Sequence, residues 1–157
     1  MQPDEGRSAV LREAETWLLT PWHHRAHVKG AGVDCGLFVV SVFIAAGLLG
    51  WDDLLPAGAR LPEYPGDWML HRSEERFLAG MRLFADPIAG PPQPADIAAW
   101  KYGRCYSHAA IVVAWPRVIH AYLPERRVCW GDASRGQLAE RPVRFFSRFE
   151  RLARAAA

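Results

Sequence analysis

The 157-residue sequence has no long hydrophobic run, no basic leader and no strong charge of either sign. Its longest apolar run, Val39 to Leu49, is interrupted by Ser41 and Gly47. It falls well short of the ~20 apolar residues that a membrane-spanning helix requires, so no membrane span is expected. The N-terminus, MQPDEGRSAVL, is acidic and polar where a secretory signal is basic and then apolar. Synthesis in the cytoplasm is therefore expected, and any action outside would depend on another route of delivery. A net charge of +2 is too small to suggest a nucleic-acid partner. Arg144, Arg148, Arg151 and Arg154 recur at helix-like spacing and read as a solvated face. Cysteine is scarce and odd in number: Cys35, Cys105 and Cys129 cannot form a complete disulfide framework, which fits a reducing compartment. No internal repeat is present, and the only low-complexity tract is the trailing ARAAA.

Bulky core material, by contrast, is plentiful. Half of the residues are hydrophobic, including seven tryptophans and seven phenylalanines, so a chain of this length can enclose a real core. Apolar residues at helical spacing predict a first helix over Glu5–Leu19, ended by Pro21. Arg25–Val33 reads as a glycine-containing loop. Asp34 can cap a second helix running to about Leu49, with Gly50 near its end; this helix is apolar nearly all round and should be buried. Residues 51–66 read as loop, and a third helix is expected over Arg72–Phe84, followed by the breaker ADPIAGPPQPAD. The pattern then changes to strands at Ile97–Lys101, Ser107–Trp115, Val118–Leu123, Val128–Trp130 and Val143–Phe146, with WPR as a hairpin turn. Helices first and an antiparallel sheet second define an α+β fold. Neither half is large enough to enclose its own core, so residues 1–157 are expected to form one domain.

The chemistry concentrates at GAGVDCGLFVVSVF, where Cys35 follows a flexible loop and opens a helix. A thiol attacks as thiolate, and its ordinary pKa of about 8.5 falls at a helix N-terminus, whose free amides can also hold an oxyanion. His108 opens the strand SHAAIVVAW and His120 lies in the next strand, VIHAY. Counting outward from the turn pairs His108 with Leu123 or a neighbour and puts His120 one or two rungs away, on the same face if the register allows. A cysteine, a base and a group that orients the base make a nucleophilic triad.

At these residues the sequence resembles the NlpC/P60 family of papain-like cysteine peptidases, and most closely its phage-tail-associated branch of cell-wall peptidases. The resemblance rests on TWLLTPWHHRAHVKGAGVDCGLF, PADIAAWKYGRCYSHAAIVV and RVIHAY, in the family's order. It covers most of Ala14 to Tyr122. It implies a papain-like fold, Cys35 as nucleophile, His108 as general base and His120 as its orienting partner. Asp34 and Ser107 stand where some members recognise the free amine of a peptide stem. Trp22 replaces a common tyrosine near the oxyanion, and its indole donates from a different place. His24 and Gly36 belong to the same substrate-facing set. One departure is plain: the family usually has serine or another residue and then glycine after the cysteine, whereas DCGLF places Gly36 and Leu37 there.

The expected activity is hydrolysis of an amide bond in the peptide stem or cross-link of peptidoglycan, with stem peptides and phage or phage-like tail proteins as partners. The alternative is a catalytically inert structural part of a tail tip. No cofactor is expected. His23, His24 and His27 with Cys35 suggest a metal site, and His24 and His27 have loop spacing that could accept zinc, but no convincing second ligand pair accompanies them, so no metal site is assigned. Cys105 and Cys129 read as buried free thiols. The tryptophans read mostly as core, with Trp51 and Trp68 as groove-wall candidates, and the Asp52–Asp53 pair as the start of a turn.

Overall fold

The computed structural model describes residues 1–55 and 75–157. Trp68, the expected helix start at Arg72–Glu74 and most of the 51–66 loop lie outside the described residues. Helix α1 (Pro3–Thr16) opens with a proline at its first position, and the Gln2 amide donates to Glu5 Oε2 at 3.3 Å. Val10 and Ala14 bury its inner face beside Trp17. The helix ends before Pro21 can act on it. Leu19 takes a left-handed φ of 70° and donates to the Val128 carbonyl, while Val128 donates back to Thr20. Pairing with a distant strand thus competes with the last helical turn and wins.

The loop after Pro21 holds a short antiparallel pair, β1 (His27–Val28) and β2 (Gly32–Val33), where the sequence reads as irregular. Helix α2 (Cys35–Ala45) follows, capped by Asp34, whose Oδ1 accepts from Leu37 N at 2.9 Å. It is shorter than expected. Gly47, at φ 75°, ends it rather than Gly50: Gly47 N donates to Ile44 O and Leu48 N reaches back to Phe43 O, the paired bonds of a Schellman stop. Trp51–Asp53 form a single 3-10 turn in which Asp53 accepts from Gly50 N. Helix α3 (Arg76–Phe84) then leads into the sheet.

The sheet comprises β3 (Asp86–Ile88), β4 (Ile97–Tyr102), β5 (Cys105–Ala114), β6 (Arg117–Tyr122), β7 (Arg127–Asp132) and β8 (Val143–Ser147). Its order is β3-β8-β4-β5-β6-β7, with antiparallel neighbours throughout. Together with the helices it makes the expected α+β architecture. Strand β3 lies inside the stretch read as a breaker; Pro87 is compatible with it because β3 is an edge strand. The β5–β6 turn is Trp115–Pro116 alone, joined by a cis bond.

Alternation divides the sheet into two faces. Ile97, Ala99, Ala109, Ile111, Ile119 and Ala121 share one core with α1 and α2, notably Val10, Phe38, Val42 and Phe43. The other face carries Ala98, Trp100, Ala110, Val112 and Val118, covered by Ala133 and by Leu138 of the short helix α4 (Gly136–Ala139). Helix α5 (Arg148–Ala156) closes the chain. Its arginines are only in part the solvated face that their spacing suggested: Arg154 is exposed, whereas Arg148 is largely buried. Arg148 donates to Leu48 O and Phe84 O, and Arg151 and Arg154 both pair with Asp86 at 3.1 and 2.9 Å. Arg144, by contrast, sits exposed on β8.

Candidate active site

Three elements converge on Cys35. Asp34 fixes the start of α2 twice over, since its Oδ2 also accepts from Arg25 N at 2.9 Å and so ties the preceding loop to the helix. Trp22 bridges to Val33 and donates its backbone N–H to Arg126 O, which sets the loop against the strand leading into the cysteine. The Trp22 indole stacks on His24, with ring centroids 6.5 Å apart. These two expected substrate-facing residues therefore form a pair of their own. His27 instead meets Trp51, at 5.2 Å.

The sulfur of Cys35 is held against β5. Its thiol donates to the Ser107 carbonyl at 3.3 Å, and the Ala109 amide lies on it from the other side of His108. The nucleophile candidate thus straddles the backbone of the base candidate. His108 in turn meets His120 across the strands, Nε2 to Nδ1 at 2.9 Å. The register Ile111↔Ile119 runs back to place His108 opposite Tyr122, within the expected neighbourhood of Leu123, with His120 two residues diagonal on the same face. Both histidines are buried.

Several residues around this pair escaped the sequence reading. The His120 ring stacks flat on Tyr122, with centroids 4.4 Å apart and planes 10° apart. Trp100, Tyr102 and Tyr122 surround His108 at 5.6 to 5.9 Å. Arg141 lies over the Tyr102 ring at 3.8 Å. Gly131 on β7 presses its backbone on the outer nitrogen of His120: a Cβ there would sit 2.7 Å from Nε2. Tyr122 was detectable, because it lies two residues after His120 on the same strand and so shares its face. Gly131 had no such signal, since its importance comes from a neighbouring strand.

The electrostatics overturn one expectation. The helix start was expected to lower the Cys35 pKa, but the thiol is pushed up to about 12. Burial is the largest cause and the Asp34 carboxylate the next; the amides of Ala109, Gly36 and Cys35 oppose them without prevailing. The residue keeps part of its surface exposed while its sulfur is desolvated. Burial pushes His108 well below its ordinary value, helped by the charge of His120, and burial alone lowers His120 to about 4. Tyr102 is raised to about 12 by burial and by Tyr122, and so keeps its proton. Burial thus favours the neutral form of the thiol and of both imidazoles.

Gly36 also has a physical setting. A Cβ on it would meet Phe77 of α3 at 3.2 Å, so the ring occupies the space beside the helix start that a larger residue would need. None of the three cysteines is in a disulfide; Cys105 is buried and Cys129 half-buried. No helix among the described residues is long and apolar enough to cross a membrane.

No protein-family model and no curated protein sequence matches the chain. Solved structures match it in fold. The NlpC/p60 domain of the peptidoglycan hydrolase SagA has a TM-score of 0.57 at 17% identity, over 88% of this chain and 96% of that one. NlpC2 from Trichomonas vaginalis has a TM-score of 0.61 at 14% identity, over 95% of this chain and 48% of that one. An NLP/P60 family protein from Staphylococcus aureus, described as similar to lipoprotein, has a TM-score of 0.59 at 18% identity, over 91% and 42%. The chain spans nearly all of the first and less than half the length of the other two. At these identities the likeness is one of fold: the α+β, papain-like arrangement of NlpC/P60 domains.

Proposed function

We propose that this chain is a thiol-dependent amide hydrolase acting on the peptide part of bacterial peptidoglycan. The observation that carries the reading is that the Cys35 thiol is held on the carbonyl of Ser107, the residue before His108, while His108 meets His120 at 2.9 Å. The naming of SagA as a peptidoglycan hydrolase supports the substrate class. In this mechanism His108 Nε2–H donates to His120 Nδ1, which leaves the Nδ1 lone pair of His108 for the thiol proton. His120 then carries its own proton on Nε2, beside Gly131. The Cys35 sulfur attacks the amide carbonyl as its proton passes to His108, and the Cys35 and Gly36 amides are placed to hold the oxyanion. His108 returns the proton to the leaving amine, and water hydrolyses the thioester by the same exchange.

Because both partners are neutral at rest, proton transfer accompanies attack rather than preceding it. Asp34, Ser107, Trp22 and His24 are assigned to substrate contact. The resemblance to phage-tail cell-wall peptidases supports delivery as part of a phage or phage-like tail assembled from the cytoplasm. One observation favours a second reading, an inert structural part of a tail tip: Cys35 is pushed up to about 12 instead of being activated. Mass spectrometry of peptidoglycan fragments decides between them. Wild type should release fragments cut at a peptide bond, and Cys35→Ala and His108→Ala should release none while remaining folded. Equal digestion by Cys35→Ala would overturn the hydrolase.

A further inference from the structure

The segment that leads into β8 lies close to His108. Lys101 N donates to Pro142 O at 3.0 Å, which draws Arg141 alongside the end of β4. There the Arg141 guanidinium carbon sits 3.8 Å from the centre of the Tyr102 ring. That ring in turn meets His108, with centroids 5.9 Å apart and planes at 76°. One aromatic ring thus separates Arg141 from the base. The Tyr102 hydroxyl feels both ends of the site: burial raises its pKa most, the Arg141 cation opposes the rise and Cys35 adds to it. Cation and nucleophile are therefore within electrostatic reach of the same phenol.

Other half-buried arginines use their donors on the chain itself: Arg7, Arg148 and Arg151 bond to carbonyls or carboxylates. Arg141 is half-buried as well, yet its side chain makes no hydrogen bond or ion pair with any described residue. Glu140, next to it in the chain, is exposed and does not pair with it. None of the Arg141 nitrogens is a buried, unpaired atom, so its free N–H donors face solvent. A guanidinium resting on a ring with its donors in water suits a carboxylate, which it can take by two parallel N–H···O bonds.

The charges around the site decide where such a carboxylate lies. Asp34 is buried at the start of α2, and after burial its charge is the main cause that raises Cys35. A substrate carboxylate is repelled on that side and attracted toward Arg141. His108 returns a proton to the leaving amine, so the residue that supplies the nitrogen sits on the His108 side. Arg141 lies on that side too.

We propose that Arg141 is a specificity-determining residue that binds a free carboxylate on the substrate residue whose nitrogen departs. This rests on the hydrolase reading above and narrows its substrate: the amine released carries a carboxylate, held on Arg141 while His108 protonates the nitrogen. Tyr102 is the platform that sets the guanidinium at a fixed distance from His108.

The test reads binding and cleavage separately. A synthetic stem peptide, and versions of it with each carboxyl group amidated in turn, are titrated calorimetrically into Cys35→Ala protein and then offered to wild type. Amidation of one carboxyl group should weaken binding by about tenfold or more, and adding Arg141→Gln should bring that ratio close to one. Arg141→Lys keeps the charge and loses the fork, so it should retain part of the ratio. Circular dichroism checks each fold, and Arg104→Gln, on the exposed turn nearby, should leave the ratio unchanged. Wild type should cut at the nitrogen of the residue whose amidation was felt. The assignment is overturned if no amidation matters, if no peptide binds, or if the ratio survives Arg141→Gln or follows Arg104 instead. Cleavage at any other bond would overturn the leaving-side placement. Binding governed by Arg141 without cleavage by wild type would sink the hydrolase and leave the carboxylate contact standing.

Discussion

Acid should loosen this fold through His120 in a way that can be calculated. Its imidazole is buried and its pKa falls to about 4 in the folded chain, against an ordinary 6.5. Between those values the unfolded chain binds a proton that the folded chain refuses. The contribution is therefore present above pH 6.5 and is lost as pH falls through 4. At pH 5 the ratio of the two binding polynomials is roughly thirtyfold, or about 2 kcal/mol lost relative to pH 7.5, at 1.36 kcal/mol per pKa unit. His108 is lowered as well and acts in the same direction. With a urea slope of about 2 kcal/mol/M, the unfolding midpoint should fall by about 1 M between pH 7.5 and pH 5 from His120 alone. The comparison is His120→Gln, which keeps an acceptor for His108 and cannot titrate. Its midpoint should fall by about 1 M less than that of wild type over the same interval. If both proteins lose the same amount, His120 is not held neutral by burial and the reasoning fails.

Three other outcomes follow from the same geometry. Gly131→Ala places a methyl 2.7 Å from His120 Nε2 and should cost about 1–3 kcal/mol by overpacking. Most of that loss should vanish in a His120→Ala background, as a thermal double-mutant cycle can show. Asp34→Asn removes the charge that raises Cys35 and one acceptor of a backbone N–H. Its thiol alkylation profile should move to lower pH while stability falls by about 1 kcal/mol; a profile that stays put would count against the Asp34 effect. Arg148→Ala strips the donors from Leu48 O and Phe84 O and should cost about 1–3 kcal/mol in urea denaturation.

Much of the architecture was legible because period and punctuation act locally. The alternation in β5 and β6 put His108 and His120 on one face, and the hairpin set their separation to within a rung. Asp34 announced the helix start because its side chain serves the first turn it precedes. Element ends were read less well wherever a distant partner supplied a competing bond. Val128 draws Leu19 out of the first helix, and Asp86 collects Arg151 and Arg154 from across the fold. β3 went unread because three residues containing a proline acquire strand geometry only by pairing with β8.

For the site, the sequence alone determined the cast: a cysteine at a helix start and two histidines twelve residues apart on consecutive strands. It also showed Gly36 and Leu37 departing from the pattern usual after the cysteine in the family it resembles. Only the tertiary structure decided the protonation states, because they depend on how much water is excluded and on which charges stand nearby. The helix-start effect acts over a single turn, whereas burial against β5 desolvates the Cys35 sulfur, and the second effect is larger. Only packing revealed Gly131 behind His120 and Phe77 beside Gly36, since each owes its role to an atom brought from a different element.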